Sequence, residues 1–342
     1  MMKTAAPKNN KPKTAGAGFG GRLMIGVEGL EKPNAADAER LRHPAVGGVI
    51  LFARNFADGA QLRRLTANIR RAASRRILIA ADQEGGRVQR FCGGEFVQLP
   101  AAAKYADSAK AEAGGMVMAA QLLAAGVDFS FAPVLDVRGK SKVIGMRAFA
   151  AAPDDVFDMA SAFARGMHRA GMHCCGKHFP GHGNVAADSH KTLPVDGRAF
   201  EDIVKCDLLP FAKWAKAKTP FALMTAHIVY PKCDVAAATF SSFWLRRVLR
   251  RRLGFGGLVI SDDLSMGGAN VGTIGERMNR ARDAGCDLLL ICGREDIDNA
   301  LSAAKTNKTT KTNPWLQLAP LPDAEVQLNS PEYYRALKQL PR

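Results

Sequence analysis

Hydrophobic positions along the chain gather into eight short aliphatic runs, at residues 22–28, 47–52, 77–81, 127–132, 172–176, 221–226, 257–261 and 286–292. Runs this short, bounded by glycine or charge, read as strands buried on both faces. Between them lie longer segments with apolar residues at helical spacing, at 59–73, 108–125, 154–170, 199–217, 241–253 and 274–284, each long enough for three or more turns. Gly126, Gly171, Gly254 and Gly285 each stand one position past a helical pattern and just before the next strand. That is where a left-handed residue ends a helix, and glycine takes that conformation without strain. Eight strand–helix repeats predict an α/β fold closed as a single (β/α)8 TIM barrel.

An open, doubly wound sheet is the alternative architecture, and it calls for a glycine-rich phosphate turn after the first strand. Here that strand ends in Glu28-Gly29-Leu30. The turn Asp82-Gln83-Glu84-Gly85-Gly86-Arg87 contains glycine but lacks the GxGxxG spacing, and its carboxylates repel a phosphate. The barrel is expected over 21–304, after a flexible basic tail at 1–20. In 305–342 the low-complexity KTNKTTKTNP stretch (305–314) reads as a linker before a short helix near 331–340.

Composition narrows the class. Of 342 residues 47% are hydrophobic but only 7% aromatic, which suits a core of small aliphatic side chains. Seven cysteines, an odd number with no CxxC pair and several within apolar runs, point to buried thiols in a reducing compartment rather than a disulfide framework. The first twenty residues contain no secretory apolar stretch, and no run reaches the roughly eighteen apolar residues of a membrane span. A cytoplasmic protein with no membrane partner is expected. The formal charge of +16 raises the question of nucleic acid. The basic residues, however, fall in the tail, on scattered helix faces and in the cluster Arg246, Arg247, Arg250, Arg251 and Arg252, without interleaved aromatics. That pattern reads as a solvated basic helix, so no nucleic-acid partner is expected.

Candidate chemistry concentrates in KHFPGHGNVAADSH (177–190), where three histidines, a lysine and an aspartate follow an apolar run on a loop broken by Pro180, Gly181 and Gly183. Barrel catalysts gather at the carboxyl ends of the strands. The expected ends carry Asp82, Asp136, Lys177, His178, His227, Asp262 and Asp263, with a bland Cys292-Gly293 on the eighth. Asp136 and Asp263 equally suit helix capping or a satisfied core edge. Carboxylates facing cations and imidazoles suit a sugar, whose hydroxyls take charged partners and whose acetal needs an acid and a nucleophile, so glycoside hydrolysis leads. Two rivals stand beside it. One is a metal-dependent barrel hydrolase built on His178, His182 and His190, although paired histidines are missing at strand one. The other is a non-catalytic binder of wall fragments or nucleic acid.

The segments DQEGGRVQR (82–90), APVLDV (132–137), IGMRAF (144–149), GKHFPGHGNVAADSHKTLP (176–194) and ISDDLSMGGA (260–269), in that order across roughly residues 22–295, resemble the NagZ-type bacterial β-N-acetylhexosaminidases of glycoside hydrolase family 3. The resemblance implies a single-domain, cytoplasmic barrel without metal or other cofactor, expected as a monomer. It implies a retaining enzyme that releases terminal GlcNAc from GlcNAc-1,6-anhydroMurNAc peptides in peptidoglycan recycling, a process tied to cell shape and division. At the matching positions it implies Asp262 as nucleophile, His190 as acid/base with Asp188 as its partner, and Asp82, Arg90, Arg147, Lys177 and His178 as ligands of the GlcNAc. From the residues alone, Asp188 and His190 equally suit a turn-stabilising couple. Met146 and Ala148 stand where the family has an acidic residue and a serine, which removes support from Arg147. Glu84 and Arg87 are expected to fix their turn by pairing with each other. For His182, between two glycines, hinge packing and substrate contact both stay open.

Overall fold

In the computed structural model, which describes residues 19–186, 193–217, 221–305 and 313–341, each of the eight apolar runs contributes one strand. These are β1 (Leu23–Gly26), β2 (Val46–Leu51), β3 (Leu78–Ala81), β4 (Phe129–Ser130), β5 (Cys175–Phe179), β6 (Ala222–Thr225), β7 (Leu258–Asp263) and β8 (Leu288–Ile291). Each pairs in parallel with its sequence neighbours except that β4 and β5 do not meet directly, and β1 also pairs with β8. The ring closes beyond the end of β4. There the Cys175 and Lys177 amides donate to the carbonyls of Ala132 and Pro133 at 2.7 and 3.2 Å, and the Leu135 amide donates to Lys177 O at 2.7 Å. The predicted barrel is therefore what forms. One strand is displaced from its expected place: β5 runs through Lys177 and His178 rather than stopping before them.

Alternation along the strands sorts the core into two layers. Met24, Ile50, Leu78, Ala80, Phe129, Phe131, Cys175, Ala222, Met224, Leu258, Ile260, Leu288 and Leu290 fill the interior of the barrel. The intervening positions, such as Ile25, Val49, Ile79, Leu223, Val259 and Leu289, pack outward under the helices. Trp315 and Leu318 join the inner layer, with Trp315 Nε1 donating to Arg22 O at 3.0 Å and Asn313 Nδ2 to Gly47 O at 2.8 Å. These contacts lie where the strands begin, so the segment after residue 313 closes the amino end of the barrel.

The helices are α1 (Ala35–Arg42), α2 (Gly59–Ala73), α3 (Ser108–Ala124), α4 (Pro153–Arg169), α5 (Phe200–Lys205), α6 (Leu209–Trp214), the wide-turned π segment Phe243–Arg252, α7 (Ile274–Ala284), α8 (Arg294–Ala303) and α9 (Pro331–Gln339). Side-chain caps from Asp58, Asp107 and Thr273 open α2, α3 and α7. Gly126, Gly171, Gly254 and Gly285 all have positive φ, as the helix-stop pattern predicts. The segment 199–217 makes two short helices rather than one, because Asp207 is drawn into the interior between them and Pro210 offers no amide to continue the first. Helix α9 rests on α3, where Gln121 Nε2 donates to Tyr333 Oη at 3.0 Å. Among the described residues no helix is long and apolar enough to cross a membrane, and no disulfide joins any of the seven cysteines. Residues 1–18 and 306–312 lie outside the described residues.

Candidate active site

Continuing the inward alternation one step above the apolar layer brings Phe52, Asp82, Lys177, Asp262 and Cys292 to the carboxyl end of the barrel. All five line one cavity of about 630 Å³, together with Arg90, Arg147 and His178. Strand register thus brings Asp82, Lys177 and Asp262 together, and with Arg90, Arg147 and His178 six of the predicted site residues share a single space. The other two, Asp188 and His190, lie outside the described residues.

Ion pairs hold the floor of the cavity. Lys177, only 2% exposed, places its Nζ 2.8 Å from Asp82 Oδ1 and 2.6 Å from Glu84 Oε1. Arg147 grips Glu84 with two bonds of 2.8 Å, and Arg90 reaches Asp82 at 3.4 Å. Burial alone disfavours charge here, but the cations win: beside Lys177 and Arg90, Asp82 stays below its usual range, and beside Arg147 and Lys177, Glu84 falls far below. Lys177 is correspondingly raised, its desolvation outweighed by the two carboxylates. The expected pair between Glu84 and Arg87 does not form. Glu84 points inward to residues distant in sequence, while Arg87 donates to the Val143 carbonyl. Arg147 keeps a firm partner in Glu84 despite its altered neighbours Met146 and Ala148.

Asp136 ties together the start of the loop after β5. Fully buried, it accepts from His178 Nδ1 at 2.6 Å, from the His178 amide and from the His182 amide at 2.7 Å. Burial pushes Asp136 up to about 6, which leaves it ionised at neutral pH. Burial, with Arg147 and Lys177 nearby, pushes His178 down to about 3. The imidazole is therefore neutral, with its proton on Nδ1 toward Asp136 and Nε2 facing Arg147 NH2 at 3.4 Å. Of the alternatives left open for Asp136, the geometry selects the satisfied core-edge group, and its bonds orient His178. His182 lines the cavity and packs edge-on to His178 with 6.0 Å between ring centroids.

The adjacent aspartates at the end of β7 differ in their surroundings. Asp263 accepts from the Ser265 and Cys292 amides at 2.9 Å each, fastening the turn after β7 to β8, and burial raises its pKa. Asp262 accepts one bond from the Asp263 amide at 2.8 Å. No other described residue donates to it, so its second oxygen stays available to the cavity. His227 is fully buried between Thr239 Oγ1, at 2.9 Å, and Asp263 O, at 3.0 Å.

Both stems of the loop that follows β5 meet on a residue that the motifs did not mark. Asn184 Nδ2 donates to both oxygens of buried Asp207 at 3.1 Å, and Arg198 NH1 donates to it at 2.7 Å while also gripping Asp196. The entering stem is squeezed close. A Cβ on Gly183 would sit 2.0 Å from Val137 O, and one on Gly181, at φ +138°, would sit 2.5 Å from Asp207 Cβ. Neither Asp207 nor Glu84 announces itself by local spacing, since each takes partners from separate segments.

Residues 19–313 match the Glycosyl hydrolase family 3 N terminal domain. The chain belongs to glycoside hydrolase family 3. Within this family, the β-hexosaminidase of Tolumonas auensis is 50% identical over 278 residues, covering 80% of this chain and 83% of the relative. That of Pseudomonas aeruginosa is 48% identical over 297 residues, covering 85% and 88%. The crystal structure of NagZ from Neisseria gonorrhoeae in complex with N-trifluoroacetyl-D-glucosamine matches with a TM-score of 0.83 at 37% identity, over 94% of this chain and 96% of that one. Both the family anticipated from the five motifs and the barrel anticipated from the eight strand–helix repeats agree with these matches.

Proposed function

We propose that this β-hexosaminidase of family 3 is a retaining exo-β-N-acetylglucosaminidase that removes terminal GlcNAc from GlcNAc-1,6-anhydroMurNAc peptides in peptidoglycan recycling, acting in the cytoplasm as a monomer and without a metal. The observation that carries the reading is Asp262, an available carboxylate set by strand register against a floor of Asp82, Lys177 and Arg90. A carboxylate fixed at a strand end is placed to attack an anomeric carbon, while the floor offers an acceptor and donors to neighbouring hydroxyls. In this scheme Asp262 displaces the aglycone oxygen to form a glycosyl ester, and His190, oriented by Asp188, donates the proton to that oxygen. His190 then takes a proton from water, which attacks the same carbon, releases GlcNAc and frees Asp262. Arg147 and neutral His178 complete the sugar ligands. A metal-dependent route through His178 is not favoured, because Asp136 holds its Nδ1 and the positive charges of Arg147 and Lys177 beside the ring oppose a cation.

The test is to trap the ester. A slowly turned over 5-fluoro-GlcNAc substrate is expected to add one sugar mass to the peptide spanning residues 260–266, on Asp262. Labelling of Asp263, or no label at all, would refute the assignment.

A further inference from the structure

Above the paired floor, one wall of the cavity carries positive charge that the scheme leaves unused. Arg87 and Lys142 both line the cavity and are exposed, whereas the cations beneath them, Lys177, Arg147 and Arg90, are each held by Asp82 or Glu84. Arg87 donates to the Val143 carbonyl, which also lies 3.4 Å from Arg147 NH1, so the guanidinium is moored beside the segment that bears Lys142. That same segment carries exposed Arg138 and Lys140, and no acidic residue occurs between Asp136 and Asp154. Among the described residues neither Arg87 nor Lys142 has a carboxylate partner.

Unpaired like charges converging on a substrate cavity repel one another, and they gain most from an anion that arrives with the ligand. Their height in the cavity indicates which part of the ligand. A sugar seated on the floor meets the buried residues, so groups at the exposed rim meet whatever projects outward from the scissile bond.

We propose that Arg87 and Lys142 form an aglycone subsite that recognises a carboxylate on the reducing side of the scissile bond. The inference rests on the reading of the cavity as a GlcNAc glycosidase and names the aglycone chemistry that it favours. The guanidinium keeps N–H groups beyond the one spent on Val143, and the ammonium of Lys142 adds a second, mobile donor. The subsite selects a carboxylate, whether borne by the sugar itself or by a short peptide on it.

The test compares kcat/KM for GlcNAc-MurNAc and for a GlcNAc-MurNAc dipeptide, each as the free acid and as its methyl ester, with the wild type and with Arg87→Gln, Lys142→Met and the double variant. In the wild type the free acid should be preferred over its ester, and the double variant should lower that ratio about tenfold, the order of two exposed ion pairs, mainly through KM. Raising ionic strength should erode the wild-type preference in the same direction, a readout that does not depend on how a variant folds. A larger fall in the ratio for the dipeptide than for the free disaccharide assigns the preferred carboxylate to the peptide, and the reverse assigns it to the sugar. An acid-to-ester ratio near one in the wild type, or one unmoved by both variants and salt, overturns the subsite while leaving the glycosidase reading intact. Failure to cleave any GlcNAc glycoside overturns both.

Discussion

Replacing Glu84 by glutamine keeps the shape of the side chain but removes the one charge that Arg147 and Lys177 share. In the folded protein these three groups are 7%, 9% and 2% exposed, so water cannot substitute for the lost carboxylate. Lys177 retains Asp82 at 2.8 Å, whereas Arg147 loses its bidentate partner and keeps only weak contacts to Val143 O and His178 Nε2, both at 3.4 Å. Breaking a buried pair by removing one partner costs about 3–5 kcal/mol, and Glu84→Gln belongs at the lower end because the amide oxygen still accepts one bond. For a chain of this size about 3 kcal/mol corresponds to a fall of roughly 4–5 °C in Tm, measurable by calorimetry or circular dichroism. The sign with pH follows from the depressed carboxyl of Glu84. Its contribution is fully present above the ordinary glutamate pKa of about 4.3 and is lost as pH falls toward the folded value. The gap between wild type and variant should therefore be constant from about pH 6 to about pH 8 and close on acidification. A variant that melts within about 1 °C of the wild type at neutral pH, or a gap that widens in acid, would refute the reasoning.

Three further changes test other parts of the molecule. His190→Ala should slow glycosylation severely with a sugar-alkoxide leaving group and mildly with an activated phenol, and Asp188→Ala should show the same order with a smaller loss; equal losses across a series of aryl GlcNAc glycosides would remove His190 from acid catalysis. Trp315→Ala should open a void at the amino end of the inner layer and cost about 3–5 kcal/mol, seen as a large fall in Tm, whereas an unchanged Tm would show that Trp315 does not support the barrel.

The barrel was legible because each strand is a short apolar run and several of the long helices, such as α2 and α4, carry a 3.6-residue stripe; the two periods need no knowledge of tertiary contacts. The site was legible to the extent that it shares the strand period, which carries Asp82, Lys177 and Asp262 into one layer. What the sequence concealed is pairing across distance. Glu84 and Arg87, near neighbours in the chain, are natural partners on local grounds, yet the hairpin after β3 turns Glu84 toward Arg147 and Lys177, which arrive from the segments after β4 and within β5. The break in 199–217 has the same origin, since the pull on Asp207 comes from Asn184 and Arg198 rather than from the helix. Nothing in the spacing around Trp315 announces that its ring fills the barrel, because a lone aromatic after a low-complexity stretch has no period.

Asp207 has a consequence for how this protein can change. By holding Asn184 on one side and Arg198 on the other, one buried carboxylate fixes where the chain leaves the barrel after β5 and where it returns. The segment between those two anchors is then a closed ring, its returning stem bound further to Val229 through Pro194 and Asp196. Doubling the length of such a ring costs only about 0.6 kcal/mol in closure entropy. The length between these anchors can thus change, by evolution or by design, at little cost in closure, while the sugar-binding floor beneath keeps its shape.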